Sequence, residues 1–156
     1  MFYKLIENKR NEWFSSPDCT VRELIKYIAT KGQMRDAQVE AIKTYLYLKI
    51  ACNNAPLWKL FVDGTFNSLD LDKMLLSTSA REILETNKAA VALLEYSRLT
   101  DRNGKQLAPE LEKFIINETD KIDYVQTFKN LFYQVNYTDY LFSLPMGAGK
   151  TYLMAA

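Results

Sequence analysis

The residues best suited to chemistry lie near the end of the sequence, where positions 144–151 read Leu-Pro-Met-Gly-Ala-Gly-Lys-Thr. Glycine has no Cβ, so backbone amides in a glycine-rich loop can approach a phosphate closely. The amides expected to form this anion cradle belong to Gly147, Ala148 and Gly149. Lys150 would reach the β- and γ-phosphates, and the Thr151 hydroxyl would bind Mg²⁺. The pattern therefore predicts a loop that binds a nucleoside triphosphate together with Mg²⁺.

The sequence on either side of this loop fits a phosphate-binding role. The apolar, aromatic run Tyr140–Leu144 predicts a buried strand, and Tyr152–Ala156 begins an apolar segment that predicts a helix. The longer pattern G-x-x-x-x-G-K-[ST] requires glycine at position 144, where this chain has leucine. The shorter pattern G-x-G-K-[ST] would arise by chance in about 1% of chains of this length. The alternative is an ordinary glycine turn beside a surface lysine.

The composition excludes several kinds of site. The sequence contains no histidine, which rules out Ser-His-Asp triads, Cys-His dyads and histidine-bound zinc. Cys19 and Cys52 are too far apart for a C-x-x-C motif and too few for a four-cysteine zinc site. We therefore predict two buried thiols in a reducing compartment. With no apolar run of roughly 18 residues and no signal-peptide core at the start, the protein is predicted to be cytoplasmic.

The charge of the chain is balanced. It has 20 basic and 19 acidic residues, for a net charge of +1. Neither sign is concentrated on one face, so charge alone does not predict a nucleic-acid partner.

Hydrophobic spacing predicts a mainly helical chain up to about residue 138. Apolar residues recur at helical intervals in segments beginning near residues 4, 21, 35, 80, 88, 109 and 121. Helix starts are predicted at two candidate capping boxes and three single residues, namely Thr20 with Glu23, Ser79 with Glu82, Asn87, Pro109 and Asp120. Gly32 and the run 53–56 are expected to end two of the helices.

The glycine-rich loop resembles the P-loop of superfamily-two helicases and translocases of the DEAD/DEAH-like kind. Members of that family often lack the first glycine and carry a proline next, in forms such as x-P-T-G-x-G-K-T. This chain has Met146 where the family usually has threonine, and it keeps Lys150 and Thr151. The resemblance implies that the bound nucleotide is ATP.

A second stretch, residues 33–42, resembles the family pattern R-x-x-Q-x-x-A-I near the start of the first motor lobe. The resemblance implies that Gln38 recognises the adenine edge, because an amide offers a donor and an acceptor side by side. Arg35 would lie nearby. The chain departs from the family at Ala37, where an aromatic residue is common. The alternative for this stretch is an ordinary amphipathic helix.

If both matches hold, the long interval between Gln38 and Gly147 implies a helical insertion. The predicted organisation is then N-terminal helices over 1–52, a helical insertion over 53–138, and over 139–156 the first strand, P-loop and helix start of an incomplete RecA-like α/β lobe. The predicted fold class is mainly α. The family's acidic metal-binding pair and second-lobe arginines would follow the P-loop. The chain is therefore expected to be an N-terminal fragment without ATPase activity, and its apolar end near Leu141 and Leu153 is expected to favour self-association.

Three functional hypotheses follow. The first is part of an ATP-dependent DNA helicase or translocase in a restriction or phage-defence system, since the restriction subunit of type III systems carries similar stretches. The second is another P-loop class, such as a nucleotide kinase or a GTPase-like switch. The third is a non-enzymatic helical interaction module. An Asp-Glu pair on a predicted strand after the P-loop would favour the first hypothesis over the second, and a DNA-binding assay would separate the third.

Overall fold

The computed structural model describes residues 2–101 and 103–135, and these residues form eight α-helices. The helices are α1 (Tyr3–Ser15), α2 (Arg22–Lys31), α3 (Asp36–Leu46), α4 (Leu57–Val62), α5 (Thr78–Thr86), α6 (Lys88–Ser97), α7 (Pro109–Asn117) and α8 (Tyr124–Leu131). Tyr47–Ala51 continues α3 as a π-helical turn, and Leu71–Lys73 and Thr119–Lys121 are 3₁₀ turns. The prediction of a mainly helical chain is confirmed.

Extended structure is sparse in the described part of the chain. An isolated antiparallel bridge joins Thr100 and Gln106, and no strand forms within residues 2–101 and 103–135. The predicted strand Tyr140–Leu144 and the P-loop after it lie outside the described residues. Among the described helices, none is long and apolar enough to cross a membrane.

Backbone contacts divide the described residues into two units. The 56–135 unit also includes residues 2–5, and the 6–55 unit takes the rest. The division falls between Ala55 and Pro56, close to the predicted boundary between residues 52 and 53. That residues 53–138 are an insertion in a motor lobe stays a prediction.

The 56–135 unit is built around α6. This helix reads Lys-Ala-Ala-Val-Ala-Leu-Leu-Glu-Tyr-Ser, which is apolar on nearly every side, and such a helix must be surrounded by others. Its buried residues are Ala89, Ala90, Val91, Ala92, Leu93, Leu94 and Ser97. Helices α4, α5, α7 and α8 all pack against it.

Aromatic rings fill the space between α4 and α8 in the same unit. Phe61 is fully buried, and its ring stacks on Phe128 and Phe132 at centroid distances of 5.5 and 5.4 Å. Phe66 packs against Phe61 at 4.7 Å. Such pairs add about 0.5–1.5 kcal/mol each to the free energy of unfolding beyond the area they bury.

The 6–55 unit has a smaller and partly polar interior. The buried apolar residues that it contains are Ile6, Cys19, Ile25, Val39, Tyr47, Leu48 and Cys52. Two polar residues, Arg10 and Gln38, are buried in the same unit. The prediction that both cysteines are buried is confirmed.

Several predicted helix boundaries are confirmed. The Asn87 side chain accepts hydrogen bonds from the Ala89 and Ala90 amides at 3.1 and 3.2 Å, and so caps α6. Pro109 is the first residue of α7, where its missing N–H costs nothing. Helix α2 ends with Gly32 as its C-cap.

Three predicted caps are wrong. Helix α2 begins at Arg22 without a side-chain cap, so the Thr20 and Glu23 box does not form. Ser77, not Ser79, caps α5, because its hydroxyl oxygen lies 3.2 Å from the Ala80 amide. Asp120 falls in a 3₁₀ turn, and Asp123 caps α8 by accepting from the Gln126 amide at 2.9 Å. For α5 and α8, the type of capping residue was predicted correctly, but its position in the sequence was not.

Candidate functional site

The described part of the candidate site is the start of α3, which carries Arg35 and Gln38. The remaining predicted site residues are Gly147, Ala148, Gly149, Lys150 and Thr151, and they lie outside the described residues. The described geometry of the site is therefore that of α3 and its neighbours within the 6–55 unit.

Gln38 is fixed in the first turn of α3. Its side-chain Oε1 accepts a hydrogen bond from the backbone N–H of Arg35 at 2.8 Å. This contact is one half of a capping box, in which the side chain of the third helical residue reaches back to the residue before the helix. The contact satisfies a backbone donor that would otherwise lack a partner at the helix start. Gln38 thus has a structural role that the family pattern did not predict.

The Gln38 side chain is buried. Gln38 is 3% exposed, and Val39 beside it is also buried. Ala37, where the family often has an aromatic residue, is exposed. The carboxamide is thus held in a defined orientation by the Arg35 amide, at the point where the inner face of α3 begins.

The turn that leads into α3 is conformationally unusual. Gln33 has a φ of +52°, in the left-handed region that residues with a Cβ seldom adopt. Gln33 lies between the end of α2 at Lys31 and the start of α3 at Asp36. Neither hydrophobic spacing nor residue type predicted this conformation, since glutamine is not a residue that favours positive φ.

Arg10 forms the largest polar network in the 6–55 unit, and hydrophobic spacing did not predict this network. Its guanidinium donates to Glu40 Oε2 at 2.5 Å, to Thr44 Oγ1 at 2.8 Å and to the Glu40 carbonyl at 3.3 Å. Asn11 Oδ1 accepts from the Arg10 Nη2 at 2.9 Å. A signal was present: Arg10 follows Ile6 by four residues and precedes Trp13 by three, so it lies on the apolar stripe of α1.

The Glu40 carboxylate is the acidic centre of this network. Burial alone would raise the pKa of this carboxyl group. The hydrogen bond from Lys43 and the positive charges of Arg10 and Lys43 outweigh that effect and lower the pKa below its ordinary value of 4.5. Glu40 is therefore ionised at neutral pH and forms ion pairs with both cations, with Lys43 Nζ at 2.6 Å.

Tyr47 begins the π-helical turn and Cys52 is its C-cap, and a hydrogen bond joins the two side chains. Burial raises the pKa of the Cys52 thiol, although a hydrogen bond with Tyr47 acts in the opposite direction. Burial, followed by the proximity of Cys52, also raises the pKa of the Tyr47 hydroxyl. A buried, protonated thiol is a poor nucleophile. This pair is therefore part of the packing of the 6–55 unit.

Within the described ranges, no group of three or more acidic or cysteine side chains is arranged to bind a metal ion. The predicted Mg²⁺ ligand, Thr151, lies outside those ranges. Comparison of the chain with protein-family models, curated protein sequences and solved structures finds no match.

Proposed function

We propose that this chain carries the ATP-binding elements of an ATP-dependent DNA helicase or translocase, with a restriction or phage-defence system as its setting. In this proposal Lys150 neutralises the β- and γ-phosphates, and Thr151 binds Mg²⁺. The amides of residues 147–149 cradle the phosphates. Gln38, with Arg35 beside it, recognises adenine.

The phosphate-binding role rests on residue chemistry. The run Gly147–Thr151 combines two glycines, a lysine and a threonine in the order that a phosphate cradle needs. The glycine-rich backbone would bind the phosphates, the lysine would neutralise their charge, and the threonine hydroxyl would bind the metal. Because these roles differ, finding all three residue types in this order is more informative than finding any one of them.

The adenine-recognition role is supported by how Gln38 is held. The Gln38 carboxamide oxygen accepts from the Arg35 amide, and a carboxamide group offers a donor and an acceptor side by side. A side chain already locked by a hydrogen bond loses little entropy when a ligand binds to it. The single observation that carries this part of the proposal is the 2.8 Å contact between Gln38 and the Arg35 amide.

The first experiment measures Mg·ATP binding to the 156-residue chain by isothermal titration calorimetry. The chain should bind Mg·ATP, and Lys150→Ala should weaken binding by at least about tenfold, because one charge-assisted hydrogen bond is worth roughly 1.5–3 kcal/mol. The matched control is Lys105→Ala, which removes an exposed lysine from the 56–135 unit.

The same titration separates the hypotheses. Binding of Mg·ATP that depends on Lys150 supports the proposal. Preference for Mg·GTP would favour another P-loop class, and no nucleotide binding would contradict the proposal. Binding to a DNA duplex should weaken steeply as salt rises, because each phosphate contact releases counterions. A chain that binds ATP but no DNA would support the nucleotide site and give no support to the helicase assignment.

A helical interaction module is the second candidate, and one observation favours it. Tyr27 on α2 is 65% exposed and Leu24, one turn earlier, is 51% exposed. Large exposed apolar side chains on one helix are typical of surfaces that bind other proteins. Replacing Leu24 and Tyr27 with serine should abolish such binding and leave nucleotide affinity unchanged.

A further inference from the structure

The loop between α6 and α7 contains a pair of residues that can react with each other. Asn103 is followed by Gly104, and no other asparagine in the sequence precedes a glycine. A backbone nitrogen can attack the carboxamide of the asparagine before it. The attack is fastest when that nitrogen belongs to glycine, because no Cβ stands in the way. The sequence therefore offers this pair for a spontaneous change in the chain itself.

The structure leaves the pair open to solvent. Asn103, Gly104 and Lys105 are all exposed. Gly104 has a φ of +80°, and a Cβ built on it would meet no atom within 4 Å. Among the described residues, none forms a hydrogen bond with the Asn103 carboxamide. The reacting carboxamide and its surroundings are therefore uncrowded.

Backbone hydrogen bonds hold the turn unevenly. Asp101 Oδ1 accepts from the Asn103 and Lys105 amides at 2.8 and 2.9 Å. The Gly104 amide, whose nitrogen would attack, donates to the Asp101 carbonyl at 3.2 Å. That distance is at the long end of the range for N–H···O hydrogen bonds. The attacking nitrogen is therefore the least firmly held of these three amides, and its exposed hydrogen bond opens readily to water.

We propose that Asn103 is a modification site, at which the chain converts asparagine into aspartate and isoaspartate without an enzyme. The Gly104 nitrogen bonds to Asn103 Cγ, and the side-chain nitrogen leaves as ammonia, taking up the proton of the Gly104 amide. The product is a five-membered succinimide ring, which water then opens. Cleavage of the bond from the Gly104 nitrogen to Cγ gives aspartate. Cleavage of its bond to the Asn103 backbone carbonyl carbon gives isoaspartate.

Both products change the loop. Each replaces a neutral carboxamide with a carboxylate, so the net charge of the chain falls by one unit, from +1 to 0. The new carboxylate lies two residues from Asp101, whose own carboxylate holds the turn, and the two repel each other. Isoaspartate also adds a main-chain carbon between Thr100 and Gln106, which the antiparallel bridge joins. The modified loop should therefore differ in charge and in backbone length.

The test incubates the whole folded chain in mildly alkaline buffer, where amide nitrogens lose their protons more readily. Mass spectrometry of its peptides measures the conversion of each asparagine, and chromatography separates aspartyl from isoaspartyl peptides. Asn103 should react at least several-fold faster than Asn67 and Asn87, and isoaspartate should be among its products. The two internal controls are held: Asn67 Nδ2 donates to the Lys88 carbonyl at 2.9 Å, and Asn87 caps α6.

Two variants test the mechanism. Gly104→Ala should slow the reaction several-fold, because its Cβ crowds the attacking nitrogen, and circular dichroism checks that this variant stays helical. Asn103→Gln keeps an exposed carboxamide but would have to form a six-membered ring. After the same incubation, ion exchange should show the new acidic form for wild type and not for Asn103→Gln.

A chain unfolded in urea supplies the last comparison. If the unfolded chain reacts at Asn103 and the folded chain does not, the turn protects the pair and the proposal is overturned. Equal rates at Asn103, Asn67 and Asn87 in the folded chain would also overturn it, since the reaction would then report opening of the whole unit. Aspartate without isoaspartate would indicate direct hydrolysis by water and would exclude the succinimide.

Discussion

The two units of the chain differ in what their interiors contain. In the 56–135 unit, α6 is surrounded by four helices, and its Leu93 and Leu94 are fully or almost fully buried. The buried polar residues of that unit, Ser97 and Thr119, are uncharged, whereas the 6–55 unit buries the charged Arg10 together with Gln38. Apolar contacts are non-directional, whereas hydrogen bonds define distances and angles.

The two kinds of interior contribute differently to the free energy of unfolding and to the orientation of the helices. Large apolar side chains in a tight core contribute most to the free energy of unfolding. Buried ion pairs often contribute little net stability, because desolvation offsets much of their attraction. The polar interior of the 6–55 unit is therefore better understood as fixing the orientation of α3 than as strengthening the fold.

The largest expected effect on stability is in the apolar core. Leu94→Ala should lower the free energy of unfolding by about 3 kcal/mol, because it leaves a cavity at a fully buried position. Urea unfolding followed by circular dichroism measures it. The control Leu75→Ala, at a fully exposed leucine, should change stability by less than about 0.5 kcal/mol. Equal losses at the two positions would contradict the α6-centred core.

A smaller effect is expected from the polar interior. Arg10→Met should lower the free energy of unfolding by about 1–2 kcal/mol, because Glu40 and Thr44 lose a donor. Glu40 is 37% exposed and can turn to water and to Lys43, so the loss is below that for a fully buried pair. A loss as large as that of Leu94→Ala would show that the network stabilises the fold as much as the core does.

The cap of α5 provides a comparison between neighbouring serines. Ser77→Ala should cost about 1 kcal/mol, since the Ala80 amide loses its acceptor. Ser79→Ala should cost almost nothing, since Ser79 lies inside the helix and is exposed. Thermal unfolding of the two variants measures the two losses of stability. A larger loss for Ser79→Ala than for Ser77→Ala would show that Ser79 caps α5.

The smallest effect is a pH dependence at Glu40. Its pKa is lower in the folded chain than its ordinary value of 4.5, so its ion pairs stabilise the fold above that pH. The stabilisation is lost as the pH falls through the folded pKa. The difference in unfolding free energy between wild type and Glu40→Gln should be present at pH 7 and disappear in acid below 4.5. A difference that grows in acid would reverse the assigned sign.

Local patterns predicted the parts of the molecule that depend on local interactions. The helix that begins near residue 88, the Asn87 cap and Pro109 at a helix start were all predicted from short stretches of sequence. Each depends on contacts within one helix turn or on burial of a whole helix.

Features set by distant residues were not predicted. Arg10 and Glu40 are 30 residues apart, and nothing local indicates that they meet. Caps at Ser77 and Asp123 were displaced by two or three positions, because several polar residues near each start could have served. For the site, the pattern singled out Gln38 but not its contact with the Arg35 amide.

The central claim is that Gln38 recognises the base of a bound nucleotide, and Gln38→Glu tests it most directly. Glutamate keeps an oxygen for the Arg35 amide and suits a helix start, but when ionised it lacks the N–H donor that adenine requires. Wild type should prefer Mg·ATP to Mg·GTP by about tenfold. Gln38→Glu should unfold at a lower temperature than wild type, because an ionised carboxylate replaces a side chain that is 3% exposed, and the folded variant should bind both nucleotides equally. A variant that keeps the preference, or a wild-type chain that has none, would contradict the account.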